Sequence, residues 1–302
     1  MKLVEVGTVA FDAIETPFGK TDKIIGGAAT YIGLAASFFV KESGLISVIG
    51  EDFPQEYINS LNERGINTEG LELVKGGKSF FWSGKYHDNM NSRDTLITEL
   101  NVLEHFDPKV PDAYKNCEFL MLGNLSPQVQ SKVIDQLESK PKLIALDTMN
   151  FWMDIAMDDL KKVLQRIDLL IINDEEARQL SGEYSLNQAA GVIMKMGPQN
   201  IIIKKGEHGA LVYHTDGLFS APAVVLDTVK DPTGAGDTFA GGIMGYLAAS
   251  GDISFGNLKK AVIAGSALAS FTCEAFGTDR LMAITKAEVE QRMEEIKDLI
   301  RI

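Results

Sequence analysis

Cysteine is scarce in this chain, with only Cys117 and Cys273 among 302 residues. That excludes a disulfide framework and points to a reducing compartment. Neither cysteine sits in a CxxC pair, so a structural zinc site lacks its usual ligands. Histidine is sparse as well, with four in the chain, and His87 has no second ligand at a useful spacing. Basic charge is also short: 29 Lys and Arg stand against 42 Asp and Glu, a formal net charge of −13. A surface that acidic repels phosphate backbones and anionic lipid, which argues against nucleic acid and membrane as partners while leaving room for a local pocket that takes a small anion. No run approaches the roughly 18 apolar residues of a membrane span. The opening MKLVEVGTVAFDAI lacks a basic segment followed by a long apolar one and a small-residue cleavage site, so it does not read as a signal peptide. The expectation is a cytoplasmic protein. Motifs are missing too. There is no GxSxG elbow, and no GxGxxG follows the first strand, which sets aside a nicotinamide oxidoreductase. GGKS at Gly76–Ser79 is not a P-loop, because its first glycine would fall on Glu72.

What is present is an ordinary globular composition, 45% hydrophobic and 24% charged, enough for a sizeable core. Apolar strands are expected at Leu3–Gly7, Leu45–Gly50, Glu118–Leu122, Lys142–Leu146, Asp168–Ile172 and Asn200–Lys204, with helical patterns between them. This is the βαβ rhythm of a mainly parallel sheet covered on both faces. Ala210–Tyr213 and Leu218–Ala221 flank Asp216-Gly217 as a hairpin. Long helices follow near Gly234–Ser250 and Asn257–Cys273. Between Ile66 and about Asp107 the pattern changes to alternation, as in KSFFWSGKYHD and RDTLITEL, which reads as half-buried antiparallel strands. The expected architecture is one α/β domain over residues 1–302, Rossmann-like, with a small β-sheet lid made by segments at about 10–25 and 66–105.

Ligands of such sheets bind beyond the carboxyl ends of the strands. Asp147 and Asn150, Asn173 and Glu176, and Lys204, Lys205, Gly206 and Gly209 all fall at such ends. Each is also a natural helix cap or turn residue. The stretch DPTGAGDTFAGGIMGYLA, Asp231–Ala248, is more informative. Helix N-termini carry unpaired N–H groups and a positive dipole end, and small residues let an anion approach them, so Gly234, Ala235 and Gly236 form an anion hole. Asp237 beside a phosphate makes sense when a hydroxyl lies between them, with Asp237 accepting its proton. The helix N-terminus is expected to lower the pKa of Asp237, tolerable where catalysis rests on positioning and electrostatics.

DPTGAGDTFAGGIM closely resembles the C-terminal signature of the PfkB, or ribokinase-like, family of small-molecule kinases. VGTVAFD resembles the family's first strand and following aspartate, GGAATY its di-glycine segment, NDEE its Asn-x-x-Glu motif, and KKGEHG its nucleotide-side strand and glycine turn. The resemblance runs over nearly the whole chain. It implies a ribokinase-like fold and transfer of the γ-phosphoryl group of Mg-ATP to a hydroxyl of a small molecule. It implies Asp237 as base; Gly234, Ala235 and Gly236 as anion hole; Asn173 and Glu176 near magnesium and the phosphates, Glu176 through water; Asp12, Gly26 and Gly27 at the acceptor; and Lys204, Gly206 and Gly209 at ATP. Asp231 and Thr233, with the loop near Gly277, match positions that bind a monovalent cation, such as K+, in many members. Asp147 with Asn150 resembles a pair that touches phosphate or metal.

One departure matters. Many sugar kinases of the family carry Asn four positions after the second glycine, and here that position is Tyr31. A tyrosine offers the acceptor one hydroxyl and a ring face. The acceptor is read as a small carbohydrate, with a nucleoside or a cyclic polyol as alternatives. The intact Asp237 and GAG argue against a non-catalytic ligand-binding relative. In the lid, Trp82, Tyr86 and Arg93 are candidate acceptor contacts, with Arg93 suited to an acidic group. Some relatives pair through their lids, and the apolar lid strands leave a homodimer open.

Overall fold

Short runs such as FLML, LIALD and LLIIN are apolar at nearly every position, a pattern that suits strands with both faces covered. In the computed structural model, which describes residues 1–301, they lie in the middle of a nine-stranded sheet. In chain order the strands are β1 (Leu3–Val6), β2 (Ala10–Thr16), β3 (Gly19–Lys20), β4 (Ile24–Gly26), β5 (Ser43–Gly50), β6 (Ile66–Val74), β7 (Phe81–Tyr86) and β8 (Arg93–Glu99). They continue with β9 (Phe119–Leu122), β10 (Leu143–Asp147), β11 (Leu169–Asn173), β12 (Asn200–Lys204), β13 (Ala210–His214) and β14 (Gly217–Ala221). The main sheet runs β14-β13-β12-β11-β10-β9-β1-β5-β6. It is parallel from β12 to β6, and the β13–β14 hairpin is antiparallel.

Because successive side chains point to opposite faces, each central strand feeds two cores. Leu3, Phe119, Leu143, Leu169 and Ile202 face the helices α1 (Ala28–Ala36), α8 (Ala235–Ser250) and α9 (Phe255–Thr272). Val4, Leu120, Ile144, Leu170 and Ile201 face the other core, which draws on α3 (Pro127–Asp135), α5 (Met157–Leu164), α6 (Asp174–Ser181) and α7 (Leu186–Met194). The expected strands, the hairpin and both long C-terminal helices are present, and the family's fold is the observed one.

A second sheet runs β3-β2-β7-β8 with β4 on β2. This is the lid, and it differs from the sequence expectation in three ways. Ile66–Val74 pairs with β5 as the parallel edge of the main sheet, so the second lid segment begins after Val74. An edge strand is only partly buried, and its mix of polar and apolar residues is indistinguishable from that of a lid strand. The lid sheet is mixed, because β2 and β7 come from separate segments and run parallel, while β7 and β8 are antiparallel. And β8 is exposed along its whole length instead of half-buried.

The glycines of FAGGIMGYLA have a packing purpose. A Cβ on Gly241 would lie 2.3 Å from the Ile32 carbonyl oxygen, one on Gly245 would lie 2.7 Å from Ala36 Cα, and one on Gly242 would lie 2.9 Å from Gly265 Cα. Bare backbone therefore lets α8 sit tight between α1 and α9, which fixes where its N-terminus lies. Gly241→Ala is expected to force α8 from α1 and destabilise the protein by about 1–3 kcal/mol. Gly191→Ala, in the exposed interior of α7 where a Cβ meets nothing within 4 Å, is expected to stabilise by about 0.5–1 kcal/mol. Urea unfolding of the two variants checks the contrast, and equal effects would reject the close-packing account.

Candidate active site

The parallel register brings Asp147, Asn173 and Lys204 to the carboxyl edge of three adjacent strands. Lys204 Nζ lies 3.3 and 3.4 Å from the two carboxylate oxygens of Asp147. Both side chains are largely buried. The start of α8 meets them there, since a Cβ on Gly236 would lie 3.1 Å from Lys204 Nζ. Gly234 takes the left-handed φ of 76° that lets the chain turn into α8. Among the first amides of the helix, that of Ala235 donates to the Pro232 carbonyl and that of Thr238 to the Gly234 carbonyl. The Gly236 and Asp237 amides have no backbone acceptor, so both are open donors at the helix start.

The charges here act on one another. Asp237 is half-buried in the cleft wall. Crowding by protein, followed by the charge of Asp147, pushes its pKa up to about 7, against the pull of Lys204 and Arg93. The helix terminus alone predicted a lowered value; desolvation and a neighbouring carboxylate outweigh it. Glu176 is buried, and its pKa is likewise pushed up to about 7 by desolvation, with Lys204 opposing and Asp147 adding. Asp147 is raised by burial in spite of Lys204. Burial pulls the Lys204 ammonium down, but Asp147, Glu176 and Asp237 together hold it above its ordinary value.

NDEE turns out to be a capping box as well as a motif. Asn173 Oδ1 accepts from the Glu176 amide at 2.8 Å, and Glu176 Oε2 accepts from the Asn173 amide at 2.7 Å. Among the described residues no three acidic, histidine or cysteine side chains converge as a metal cage. The cap uses Glu176 Oε2 and leaves Oε1, and a single carboxylate oxygen fits a magnesium ion that takes most of its ligands from phosphate and water.

Asp12 lies on the lid side of the cleft and is buried. Its pKa is pushed up to about 7 by desolvation and by Asp231 and Asp237, against the pull of the Gly27 backbone. Gly26 is required beside it, because a Cβ there would fall 1.8 Å from Asp12 Oδ2. Gly27, with φ of 96°, would drive a Cβ to 2.5 Å from the Thr8 carbonyl oxygen. Asp231 is fully buried; its two oxygens accept from the amides of Thr233 at 2.9 Å and Gly277 at 3.3 Å. This joins the loops that the sequence linked. From the lid, the Tyr86 hydroxyl accepts from Thr233 Oγ1 at 3.1 Å. Arg93, exposed on β8, lies 5.6 Å from the Trp82 ring and 5.9 Å from that of Tyr86. Gly206 and Gly209, with φ of 54° and 78°, form the turn after β12.

Two expectations change. Tyr31 is 1% exposed, and its ring supports the anion-hole loop: a Cβ on Gly234 would lie 2.3 Å from Tyr31 Cε2. The ring face is therefore closed to an acceptor. Asn150 pairs with Gln179 of α6 and does not join the acidic group. Conversely, Asp147 is more central than its position after a strand revealed. Tyr86, read from the sequence as an acceptor contact, proves also to be the strut between lid and loop.

A carboxyl that titrates near pH 7, next to an ammonium and a free helix amide, can take a proton from an alcohol while negative charge accumulates beside it. Phosphoryl transfer to a hydroxyl calls for that arrangement, and the class of protein is a small-molecule kinase. Comparison narrows it. The pfkB family carbohydrate kinase profile matches residues 3–285, and the chain belongs to that family, whose members are phosphotransferases acting on hydroxyl groups. A cytidine kinase of Thermococcus kodakarensis is 29% identical over 252 residues, covering 82% of this chain and 88% of its own length. The crystal structure of the Methanocaldococcus jannaschii nucleoside kinase matches with a TM-score of 0.79 at 22% identity, covering 98% of this chain and 99% of its own. A Ribokinase II from E. coli in complex with ATP and Mg2+ matches with a TM-score of 0.77 at 20% identity, over 97% and 99% of the two chains. No helix among the described residues is long and apolar enough to cross a membrane.

The raised pKa of Asp237 has a stability consequence with a defined sign. Its folded value, about 7, lies above the unfolded one of about 4. The cost of ionising it in the fold is therefore absent below pH 4, grows as pH rises, and is complete above pH 7. Asp237→Asn cannot ionise. In the ligand-free protein it is expected to melt above wild type at pH 8, with the difference closing toward pH 4. A variant that melts at or below wild type at pH 8 would rule out the charge penalty.

Proposed function

We propose that this kinase transfers the γ-phosphoryl group of Mg-ATP to a hydroxyl of a nucleoside. The observation that carries the reading is the meeting of Asp237, the Gly236 amide and Lys204 at the start of α8. Supporting the acceptor class are the relatives named for cytidine and nucleosides. A nucleoside also contains the carbohydrate of the family description. Trp82, half-buried with Arg93 near its ring, gives the lid a face suited to a flat base.

Mg-ATP supplies the transferable phosphoryl group when bound. Asp237 orients the acceptor hydroxyl and takes its proton, with a pKa close to that which makes a general base effective at neutral pH. Gly234, Ala235 and Gly236 shape the anion hole, to which the Gly236 and Asp237 amides offer free donors. Asp12, seated by Gly26 and Gly27, holds the acceptor's other hydroxyls. Glu176 meets the metal through water, and Asn173, Lys204, Gly206 and Gly209 line the nucleotide side. The loop of Asp231 and Thr233, tied to Gly277, is the seat of a monovalent cation such as K+. The chain works as a single domain. Leu96 and Ile97, 54% and 47% exposed on β8, pair with a second lid in a homodimer; sedimentation equilibrium that finds only monomer rejects that pairing.

ADP release with Mg-ATP, measured over cytidine, inosine, ribose and myo-inositol with and without potassium, tests the reading. Release with nucleosides is expected, and Asp237→Asn should lower it by about 10²-fold or more. Release with ribose or inositol alone would move the acceptor to a sugar or polyol. Near-normal turnover in the variant would remove Asp237 as base.

A further inference from the structure

Lys204 is surrounded by the groups of the transfer centre more than by those of the nucleotide turn. Its ammonium lies along the bare Cα face of Gly236, beside a helix start whose Gly236 and Asp237 amides have no backbone acceptor. Asp147, Glu176 and Asp237 all act on it. Three carboxyl groups around a site for a phosphoryl group would repel it, and Lys204 is the buried cation among them. The ammonium is also loosely held. Its contacts of 3.3 and 3.4 Å with Asp147 exceed the roughly 2.7–2.9 Å of a tight charge-assisted pair. Its side chain keeps 18% of its surface open. It is thus held in place yet able to turn its protons toward an incoming anion.

We infer that Lys204 is a catalytic residue whose ammonium faces the phosphoryl group in transit, and that Asp147 is the positioning residue that keeps it there. The inference rests on the kinase reading and changes the part Lys204 plays in it, from lining the nucleotide pocket to stabilising the transfer. In that step the bond from the acceptor oxygen to the γ-phosphorus forms as the bond from the β,γ-bridging oxygen breaks. The acceptor proton goes to Asp237, and the electron pair leaves on ADP. Lys204 keeps its protons throughout and donates hydrogen bonds to the equatorial oxygens beside the Gly236 amide. Gly236 is then glycine for two reasons: the anion approaches its amide, and a Cβ there would crowd the lysine ammonium at 3.1 Å.

The test uses the full-length enzyme with Mg-ATP and whichever acceptor supports wild-type turnover. Lys204→Met is expected to lower kcat by about 10²–10³-fold, on the scale of losing one transition-state donor, with KM for ATP within about threefold of wild type. A raised KM with kcat preserved would return Lys204 to nucleotide lining and overturn the inference. Removing the lysine alone strands carboxylates and risks the fold, so Lys204→Met is also combined with Asp147→Leu, which removes both partners together. A double variant that melts like wild type yet stays slow supports the inference. One that regains turnover makes the pair structural and overturns it. Lack of turnover in the wild type with every acceptor would overturn the kinase reading itself, a result readily told apart from these.

Discussion

Everything at this site depends on keeping carboxyl groups close together in a poorly solvated cleft. Asp147, Glu176 and Asp237 share one lysine, and Asp12 and Asp231 lie across the cleft. Like charges at such spacing cannot all ionise cheaply. The protein resolves this by leaving several of them near their titration point, with Asp12, Glu176 and Asp237 all pushed up to about 7. The charge of the site therefore changes near neutral pH, and a cation placed among these groups would favour their ionised forms.

The scaffold's task is to hold that group without adding side chains to it. The glycines of α8 bring the helix against α1 and α9 backbone to backbone, and the sheet register sets β10, β11 and β12 side by side. Together these fix the relation between the helix amide and the lysine. Tyr31 closes the arrangement from below by filling the space under Gly234. A residue that looked like a substrate contact is part of the wall that shapes the loop.

Much of the fold was legible in the sequence because strands buried on both faces must be apolar throughout, as FLML and LLIIN are. The gathering of Asp237, the GAG turn, NDEE and KKGEHG at one end of the sheet was legible too, since each carries a local backbone signature and follows or meets a strand end. What sequence left hidden was set by distant neighbours. β6 mixes polar and apolar residues like a lid strand because it is the edge of the main sheet and only partly buried. The parallel pairing of β2 with β7 depends on two segments meeting across the lid. Tyr31 faces inward because Gly234 leaves a gap its ring fills. The pKa of Asp237 follows its burial and then Asp147, ninety residues away, and the local helix dipole could not reveal either.

The hydrogen bond between Tyr86 of the lid and Thr233 joins positions 147 residues apart in the chain. Thr233 immediately precedes Gly234, the residue that turns the chain into α8. The start of that helix therefore takes its bearings from the lid as well as from the core, so a substitution on one sheet can be felt at a loop that belongs to the other.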